Sequence, residues 1–175
     1  YHGATRGVVA ANLISGPSVA VDSTKEDDFT VDLVMDDVPV QSVPGVDPLN
    51  PFKCQAFDLH DVLPDGEHFG HEHHVIKIEM LLDPKAAQFV HHLVLLMCDT
   101  ESAEAANFTN NMVIDDCISM PPQCQEILWG WAPGVDPLEF PPDIGMSIRD
   151  STHFLMIQMH YYNPSQVKGI TDSSG

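Results

Sequence analysis

Histidines within two apolar segments are the residues of this chain best suited to chemistry. His91 and His92 are adjacent inside residues 90–97, which otherwise have the composition of a buried strand, and His160 follows the apolar residues 154–159. Burying an imidazole without a partner costs free energy, and a metal ion is the usual partner of clustered imidazoles. Three imidazoles from two strands would form a neutral, nitrogen-rich site that suits copper or zinc.

Strand geometry sets a condition on this site. Neighbouring strand residues point to opposite faces of a sheet. His91 and His92 can therefore reach one metal only where the backbone twists or bulges. On a regular strand, the alternative is that each histidine is an ordinary packed or hydrogen-bonded residue. Spacing alone leaves copper and zinc both open, because catalytic zinc also uses three histidines and a water.

The segments around these histidines predict short strands separated by turns. Apolar and polar residues alternate from Phe29 to Met35, and further strands are predicted at 52–59, 76–80, 90–97, 127–131 and 154–161. Residues 99–123 are polar and helix-poor and predict a long loop. Many short strands without a convincing amphipathic helix favour an all-β sandwich.

The chain divides into two parts of unequal length. Residues 1–27 have weak periodicity and are predicted to be a linker or an extended arm, and residues 28–175 to be one domain. One hexapeptide, Pro-Gly-Val-Asp-Pro-Leu, occurs at 44–49 and at 133–138. The flanking residues do not match, so the repeat indicates repeated turn chemistry and not a duplicated domain.

The charge of the chain restricts its partners. Twenty-six acidic residues against seven basic ones give a net charge of −19. Nucleic acids and anionic membrane surfaces are therefore poor partners for this chain, and cations, basic partners or a high-salt exterior fit better. Simple solubility explains most of this charge. No run approaches the roughly 20 apolar residues of a membrane span.

The cysteines indicate the compartment. Four cysteines allow three disulfide pairings. The Cys-x2-Cys spacing typical of a zinc ribbon is absent from the sequence, which argues against that kind of site. Disulfides favour a secreted protein or the lumen of the secretory pathway, and the sequon at Asn107 would make it a glycoprotein. The chain begins with Tyr1 and shows no signal peptide, so we expect a processed chain or a fragment.

Ordered motifs along the chain resemble one protein family. They are two histidine-containing segments, a cysteine seven residues before a tryptophan, and two short C-terminal motifs: His73–Glu79, Val90–His92, Cys124 to Trp131, His160–Pro164 and Asp172–Gly175. Together they resemble the N-terminal domain of the copper type II, ascorbate-dependent monooxygenases, which include dopamine β-monooxygenase and peptidylglycine α-hydroxylating monooxygenase. The resemblance covers about residues 28–175 and is closer to the dopamine enzyme.

The resemblance implies a metal site and a fold. His91, His92 and His160 correspond to the ligands of the family's first copper, which takes an electron from ascorbate and passes it on. The implied fold is a two-sheet antiparallel sandwich, jelly-roll-like, with disulfide-tied loops. The implied disulfides join Cys54 to Cys117 and Cys98 to Cys124.

The resemblance also implies what this chain would need from elsewhere. The family's second copper, where oxygen and substrate react, uses a His-x-His pair and a methionine of a following domain. The chain stops before that domain, and the His-x-His at 71–73 precedes His91 and is too early to be that pair. Of the clustered histidines His68, His71, His73 and His74, we expect at most one to make a structural hydrogen bond and the rest to lie in a solvated loop.

Two function classes follow from these observations. The first is an electron-transfer domain of a C–H-hydroxylating monooxygenase that uses oxygen, copper and ascorbate, and that is inactive without its second copper domain. The second is a non-enzymatic extracellular module, built on the same fold as part of a larger assembly. Retention of all three ligand positions favours the first, and the missing oxygen-activating domain favours the second.

Overall fold

The structure is a computed structural model that describes residues 9–15, 29–63, 73–142, 144–148 and 152–175. The predicted domain boundary at 27/28 and the histidines His68 and His71 lie outside the described residues. Over these described ranges, two short helices and twelve strands follow one another: β1 (Val9–Ser15), β2 (Phe29–Leu33), β3 (Val38–Pro39), β4 (Phe52–Asp58), α1 (Leu59–Val62), β5 (His73–Glu79), β6 (Val90–Met97), α2 (Thr100–Ala105), β7 (Val113–Asp115), β8 (Glu126–Trp131), β9 (Leu138–Glu139), β10 (Met146–Ile148), β11 (Phe154–Tyr161) and β12 (Thr171–Asp172).

The described strands form two main antiparallel sheets. One, the histidine sheet, has the order β7-β4-β11-β6-β8. The other has the order β10-β5-β1-β2, with β9 also paired to β5, and β3 and β12 form a separate ribbon. Every pairing among them is antiparallel. The prediction of an all-β, two-sheet antiparallel sandwich is confirmed.

The main core lies between the two sheets. Leu33 and Ile78 of one sheet belong to the same buried cluster as Leu93, Ile157 and Met159 of the histidine sheet. Alternate residues of the histidine sheet point the other way, into a second buried cluster that contains Leu96 and Met156. Both faces of the histidine sheet are therefore covered over much of their length, which explains why its strands read as nearly continuous apolar runs.

The second cluster contains both disulfides. The structure joins Cys54 to Cys117 and Cys98 to Cys124, the pairing that the family resemblance implies. The Cα atoms are 5.8 Å apart in the first bridge and 3.9 Å apart in the second. The bridges attach the segment 98–124 to the face of the histidine sheet that points away from the other sheet.

The helix-poor loop predicted at 99–123 includes two short regular elements. This segment contains the six-residue helix α2 and the strand β7. Asp99 caps the helix because its side chain accepts a hydrogen bond from the Ser102 backbone N–H at 2.9 Å. A helix this short shows no 3.6-residue apolar repeat, so its cap residue was the available sequence signal.

Two further differences concern the other sheet. Strand β1 lies within the segment predicted as a linker or arm, and it pairs with both β2 and β5. In β5, Lys77 pairs with Asn12 but Val75 pairs with Leu13, so Ile76 is the extra residue of a bulge. Val75 and Ile78 are consequently the buried residues within 74–79, whereas a regular strand would have placed Ile76 on the same face as Ile78.

The repeated hexapeptide forms the same turn twice. Gly45 and Gly134 both have φ of +95°, and the residue after each glycine donates to the carbonyl three residues earlier. Proline followed by glycine with positive φ is the signature of a type II turn. Among the helices of the described residues, none combines the length and the apolar character needed to cross a bilayer.

Candidate metal centre

A β-bulge brings the three predicted histidines together. Strands β6 and β11 are neighbours, and His92 is paired with His160 across them. The next pair joins Val90 to Tyr161, so His91 is the extra residue of the bulge. This irregularity is the one that the sequence requires if adjacent strand residues are to share a site.

The ligand nitrogens of the three rings converge. Nδ1 of His92 lies 3.1 Å from Nδ1 of His91 and 3.3 Å from Nδ1 of His160. The ligand atoms of all three residues lie within 4.8 Å of one another, and they are the one such group of three among the described residues. Metal–nitrogen bonds of about 2.0–2.1 Å with tetrahedral or trigonal angles would place ligand nitrogens about 3.3–3.6 Å apart. The rings therefore stand close to a metal-binding spacing.

Burial keeps two of these imidazoles neutral. The pKa of His160 falls from 6.5 to about 4, first because burial penalises the charged form and then because His92 and His91 lie nearby. Burial also lowers the pKa of His92, with His91 as the second cause. A neutral imidazole is the form that binds metals, so no proton has to leave His160 at neutral pH before it can bind one.

Phe52 fixes the orientation of His160. The two rings are stacked, with centroids 4.1 Å apart and planes inclined by 6°. Phe52 pairs with His160 across β4 and β11, and its ring also meets His92 edge-on at 6.2 Å. The sequence analysis missed this residue, because knowing that Phe52 lies beside His160 requires the register of β4 against β11.

The outer nitrogen of His160 has an unusual environment. Within the described part of the chain, Nε2 of His160 is buried and has no hydrogen-bond partner. Metal-bound histidines commonly donate their other N–H to a carboxylate or carbonyl, which fixes the ring. Here stacking on Phe52 supplies the orientation instead, and Nδ1 is the nitrogen that faces the other two rings.

The other predicted site residues lie apart from this cluster. His73 and His74 belong to β5, in the opposite sheet. Asn107 of the glycosylation sequon is exposed just after α2 and has a positive φ of 57°. Trp129 and Met159 are buried in the main core.

The chain matches a family model and curated relatives. Residues 34–168 match the model described as copper type II ascorbate-dependent monooxygenase, N-terminal domain. The chain belongs to this family. The matched copper monooxygenase domain includes all three converging histidines and all four cysteines.

Relatives in vertebrates align over nearly the whole chain. DBH-like monooxygenase protein 1 of Homo sapiens is 30% identical over 185 aligned residues, which cover 100% of this chain and 27% of that protein. Dopamine beta-hydroxylase of Canis lupus familiaris is 22% identical, covering 99% of this chain and 26% of its own length. The chain thus spans about a quarter of the length of the copper monooxygenase relatives that it matches.

Proposed function

We propose that this chain is the copper-binding, electron-transfer domain of an ascorbate-dependent monooxygenase that hydroxylates a C–H bond with oxygen. His91, His92 and His160 would hold one copper through their Nδ1 atoms. The observation that carries the proposal is the bulge at His91, which turns two adjacent strand residues toward His160. A strand has no packing reason to place three imidazole nitrogens within a few ångströms of each other, because their mutual contacts bury polar groups.

The donor set fits copper in both of its oxidation states. Imidazole is a suitable ligand for cuprous and cupric ions, and a bound copper supplies one-electron chemistry, with ascorbate as the electron donor. The two partly buried rings, His92 and His160, stay neutral, which leaves the positive charge of the metal uncompensated by the ligands. Uncompensated positive charge favours the approach of an anionic reductant.

The three rings have different tasks in this proposal. His160 is held from both neighbouring strands and by Phe52, so it defines the position of the site. His91 is exposed, so it forms the edge of the site that solvent and a reductant reach. His92 lies between them, and its Nδ1 is close to Nδ1 of both His91 and His160.

The rest of the reaction would need a second copper domain as partner. We propose that oxygen and substrate meet a copper in such a domain, and that the whole protein works in the secretory pathway or outside the cell. Two disulfides and an exposed sequon at Asn107 support that compartment. The alternative proposal is a non-enzymatic extracellular module, which would keep the sandwich without loading copper.

Copper titration of the purified chain separates the two proposals. We expect the chain to take one cuprous ion from a chromophoric chelator, so that the absorbance of the chelator complex falls. Ascorbate should reduce the cupric form of the protein, so that its EPR signal disappears. His160→Ala should abolish both signals, and His74→Ala, which alters a strand histidine of the other sheet, should leave both unchanged.

The same purified chain tests whether hydroxylation requires a second copper domain. The chain alone should hydroxylate neither phenethylamine-like nor glycine-extended substrates, because the described residues hold one group of three metal ligands. Turnover by this chain alone would refute the electron-transfer assignment. Failure to bind copper in a well-folded sample would favour the non-enzymatic module.

A further inference from the structure

The strand pairing that carries the three histidines ends just beyond them. Val90 and Tyr161 are the last pair of the ladder between β6 and β11. His91 bulges out between that pair and the next, which joins His92 to His160. Paired strands open most easily at their ends, so a single terminal pair would hold the bulge loosely. Metal ligands must nevertheless stay within about 0.5 Å of their bound positions. The converging rings therefore need an additional anchor at the end of β11.

Tyr161 is anchored by its backbone and by its side chain. Its backbone N–H donates to the Pro51 carbonyl at 2.8 Å, on the β4 side of the strand. Its side chain is fully buried in the main core, where the phenol O–H donates to Oδ2 of Asp172 at 2.8 Å. Burial raises the pKa of the Tyr161 phenol well above its usual range, with the facing carboxylate as the next cause. The hydroxyl therefore keeps its proton and remains the donor.

Asp172 joins this phenol to the C-terminal segment 171–175. Its carboxylate is buried, and Oδ1 accepts from the Ser174 backbone N–H at 3.0 Å and from the Ser174 hydroxyl at 2.6 Å. Oγ of Ser174 accepts the Asp83 backbone N–H at 2.9 Å, and the Ser174 carbonyl accepts the Met35 backbone N–H at 2.9 Å. Asp172 also belongs to β12, which pairs with β3. The acceptor of the phenol is thus itself held in place.

Tyr161 and His160 hold opposite faces of the same strand end. Tyr161 and Met159 lie in the core between the two sheets, and His160, one residue from each, points to the other face by strand alternation. There it stacks on Phe52. Consecutive Cα atoms are fixed about 3.8 Å apart, so a displacement of Tyr161 moves the backbone of His160 with it. An anchor in the core can therefore position a ligand on the outer face without touching it.

We propose that Tyr161 and Asp172 are positioning residues of the metal centre. The hydrogen bond between them holds the last pair of the ladder in place, and so keeps the bulge from which His91 and His92 meet His160. Both roles presuppose the proposed copper-binding function. They act through the backbone of β11, because the hydroxyl and the carboxylate lie in the core and not among the three rings.

Tyr161→Phe tests the hydrogen bond, because it removes one oxygen and leaves the aromatic ring in the core. We expect the cuprous affinity to fall about 10-fold, the milder loss seen for residues that orient metal ligands. The g value and hyperfine splitting of the cupric EPR spectrum and the copper reduction potential should also change, since they report ligand geometry. Wild-type affinity, EPR parameters and potential in folded Tyr161→Phe would overturn the proposal.

Asp172→Asn is an independent variant at the same bond. Its single amide oxygen would have to serve both the phenol and the Ser174 groups, so we expect a smaller change than in Tyr161→Phe but in the same direction. Because the two residues act as one pair, Tyr161→Phe/Asp172→Asn should lose no more cuprous affinity than Tyr161→Phe alone. Additive losses in the double variant would contradict the pairing.

Two variants are matched controls. Tyr162→Phe removes the same atom from the next residue, whose side chain is half-exposed. Thr100→Val removes a buried hydroxyl at the other end of β11, where Oγ1 accepts the His153 backbone N–H at 2.7 Å. Both should keep the wild-type cuprous affinity and EPR parameters, although Thr100→Val should be less stable. Equal changes in Thr100→Val and Tyr161→Phe would overturn the proposal, because general destabilisation would then explain both.

Hydrogen exchange of the metal-free chain separates this proposal from the proposed function. The backbone N–H groups of Tyr161 and Tyr162 donate to the carbonyls of Pro51 and Phe89 at 2.8 and 2.7 Å. Relative to the core amides of the same variant, both should exchange faster in Tyr161→Phe and at the wild-type rate in Thr100→Val. If the wild type bound no copper, the copper function would fail, and exchange would still decide whether the hydroxyl anchors the strand end. If the wild type bound copper and exchange in Tyr161→Phe were unchanged, the positioning role alone would fail.

Discussion

Histidines lie in contact with one another at both ends of strand β11, but different interactions hold them at the two ends. At the C-terminal end, His160 is paired on one side with His92 and on the other with Phe52. At the N-terminal end, His153 lies before the strand begins and meets His60 of a four-residue helix. The first group is oriented by strand pairing and aromatic stacking, the second by the carboxylate that caps α1 and by backbone hydrogen bonds. Inside the sheet, the His160 imidazole is held in place and stays neutral. At the edge of the sheet, the His60 side chain remains accessible to water.

The largest expected effect is the loss of copper on removing His160. Replacing an outer partner of a metal ligand costs 10- to 100-fold in affinity, so removing the ligand itself should cost more than about 100-fold. Competition with a chromophoric cuprous chelator would measure the change in His160→Ala. His153→Ala, at the other end of the same strand, should keep the wild-type cuprous affinity, and an equal loss in both variants would break the comparison.

The second largest effect is expected from removing the disulfides, which lie near different ends of β11. Cys54 lies near the C-terminal end of β11, where the proposed copper site is, because it pairs with Gln158. The Cys98 backbone N–H donates to the carbonyl of Phe154 at the N-terminal end of β11. Removing either bridge should lower the free energy of unfolding by about 2–4 kcal/mol. The loops span 63 and 26 residues, so chain entropy alone makes the loss about 0.8 kcal/mol larger for Cys54→Ala/Cys117→Ala.

Urea unfolding and copper titration on both double variants would check this difference. Cys54→Ala/Cys117→Ala should also weaken copper binding, since Gln158 donates to the Cys117 carbonyl at 2.6 Å, two residues from His160. Cys98→Ala/Cys124→Ala should leave copper affinity at the wild-type value. A reversed order of copper affinities would refute the link between the first bridge and the site.

A smaller effect is expected at Phe52. Phe52→Leu keeps the apolar volume but removes the ring that stacks on His160, and we expect a loss of about 10-fold in cuprous affinity. Phe108→Leu is the matched control, because Phe108 meets Phe154 edge-on in the second cluster and not at the copper end. If both variants bound copper as the wild type does, His160 would not depend on stacking for its orientation.

The smallest effect is the pH dependence of stability without metal. The folded state holds the pKa of His160 at about 4 against 6.5 in the reference state, so the unfolded chain binds more protons between these values. Stability contributed by neutral His160 is therefore present above about pH 6.5 and lost as the pH falls toward 4.

Thermal melts of the apo chain would reveal this term. The melting temperature of the wild type should fall more between pH 6.5 and pH 4 than that of His160→Asn. Burial raises the pKa of Asp172, which acts in the opposite direction, but this carboxyl is present in both chains and cancels in the difference. A larger fall in His160→Asn would contradict the assigned sign.

Local patterns predicted much of the histidine sheet. The runs that became β4, β6, β8 and β11 are apolar and bounded by turn residues, so their positions follow from periodicity alone. His91, His92 and His160 were singled out as candidate ligands because imidazoles in apolar runs are unusual and because they match the first copper site of the family that the sequence resembles. The need for a bulge followed from the alternation of neighbouring strand residues.

The features that sequence analysis missed depend on pairing between distant segments. Phe52 and His160 are 108 residues apart, and only the register of β4 against β11 places their rings together. The pair His60 and His153 depends on the same register at the other end of those strands. Strand β1 was missed because its weak alternation becomes a strand only when β2 and β5 pair with it.

Because of the bulge at His91, one of the three proposed copper ligands could be lost without altering the pairing of the sheet. Val90 pairs with Tyr161 and His92 with His160, so His91 is the residue that this ladder does not require. A chain without His91 could close the same ladder with one ligand fewer and an uninterrupted strand. Deletion of the single codon for His91 would therefore convert a sandwich with three converging imidazoles into one with two. Within such a family, loss of metal binding need leave no trace in the architecture.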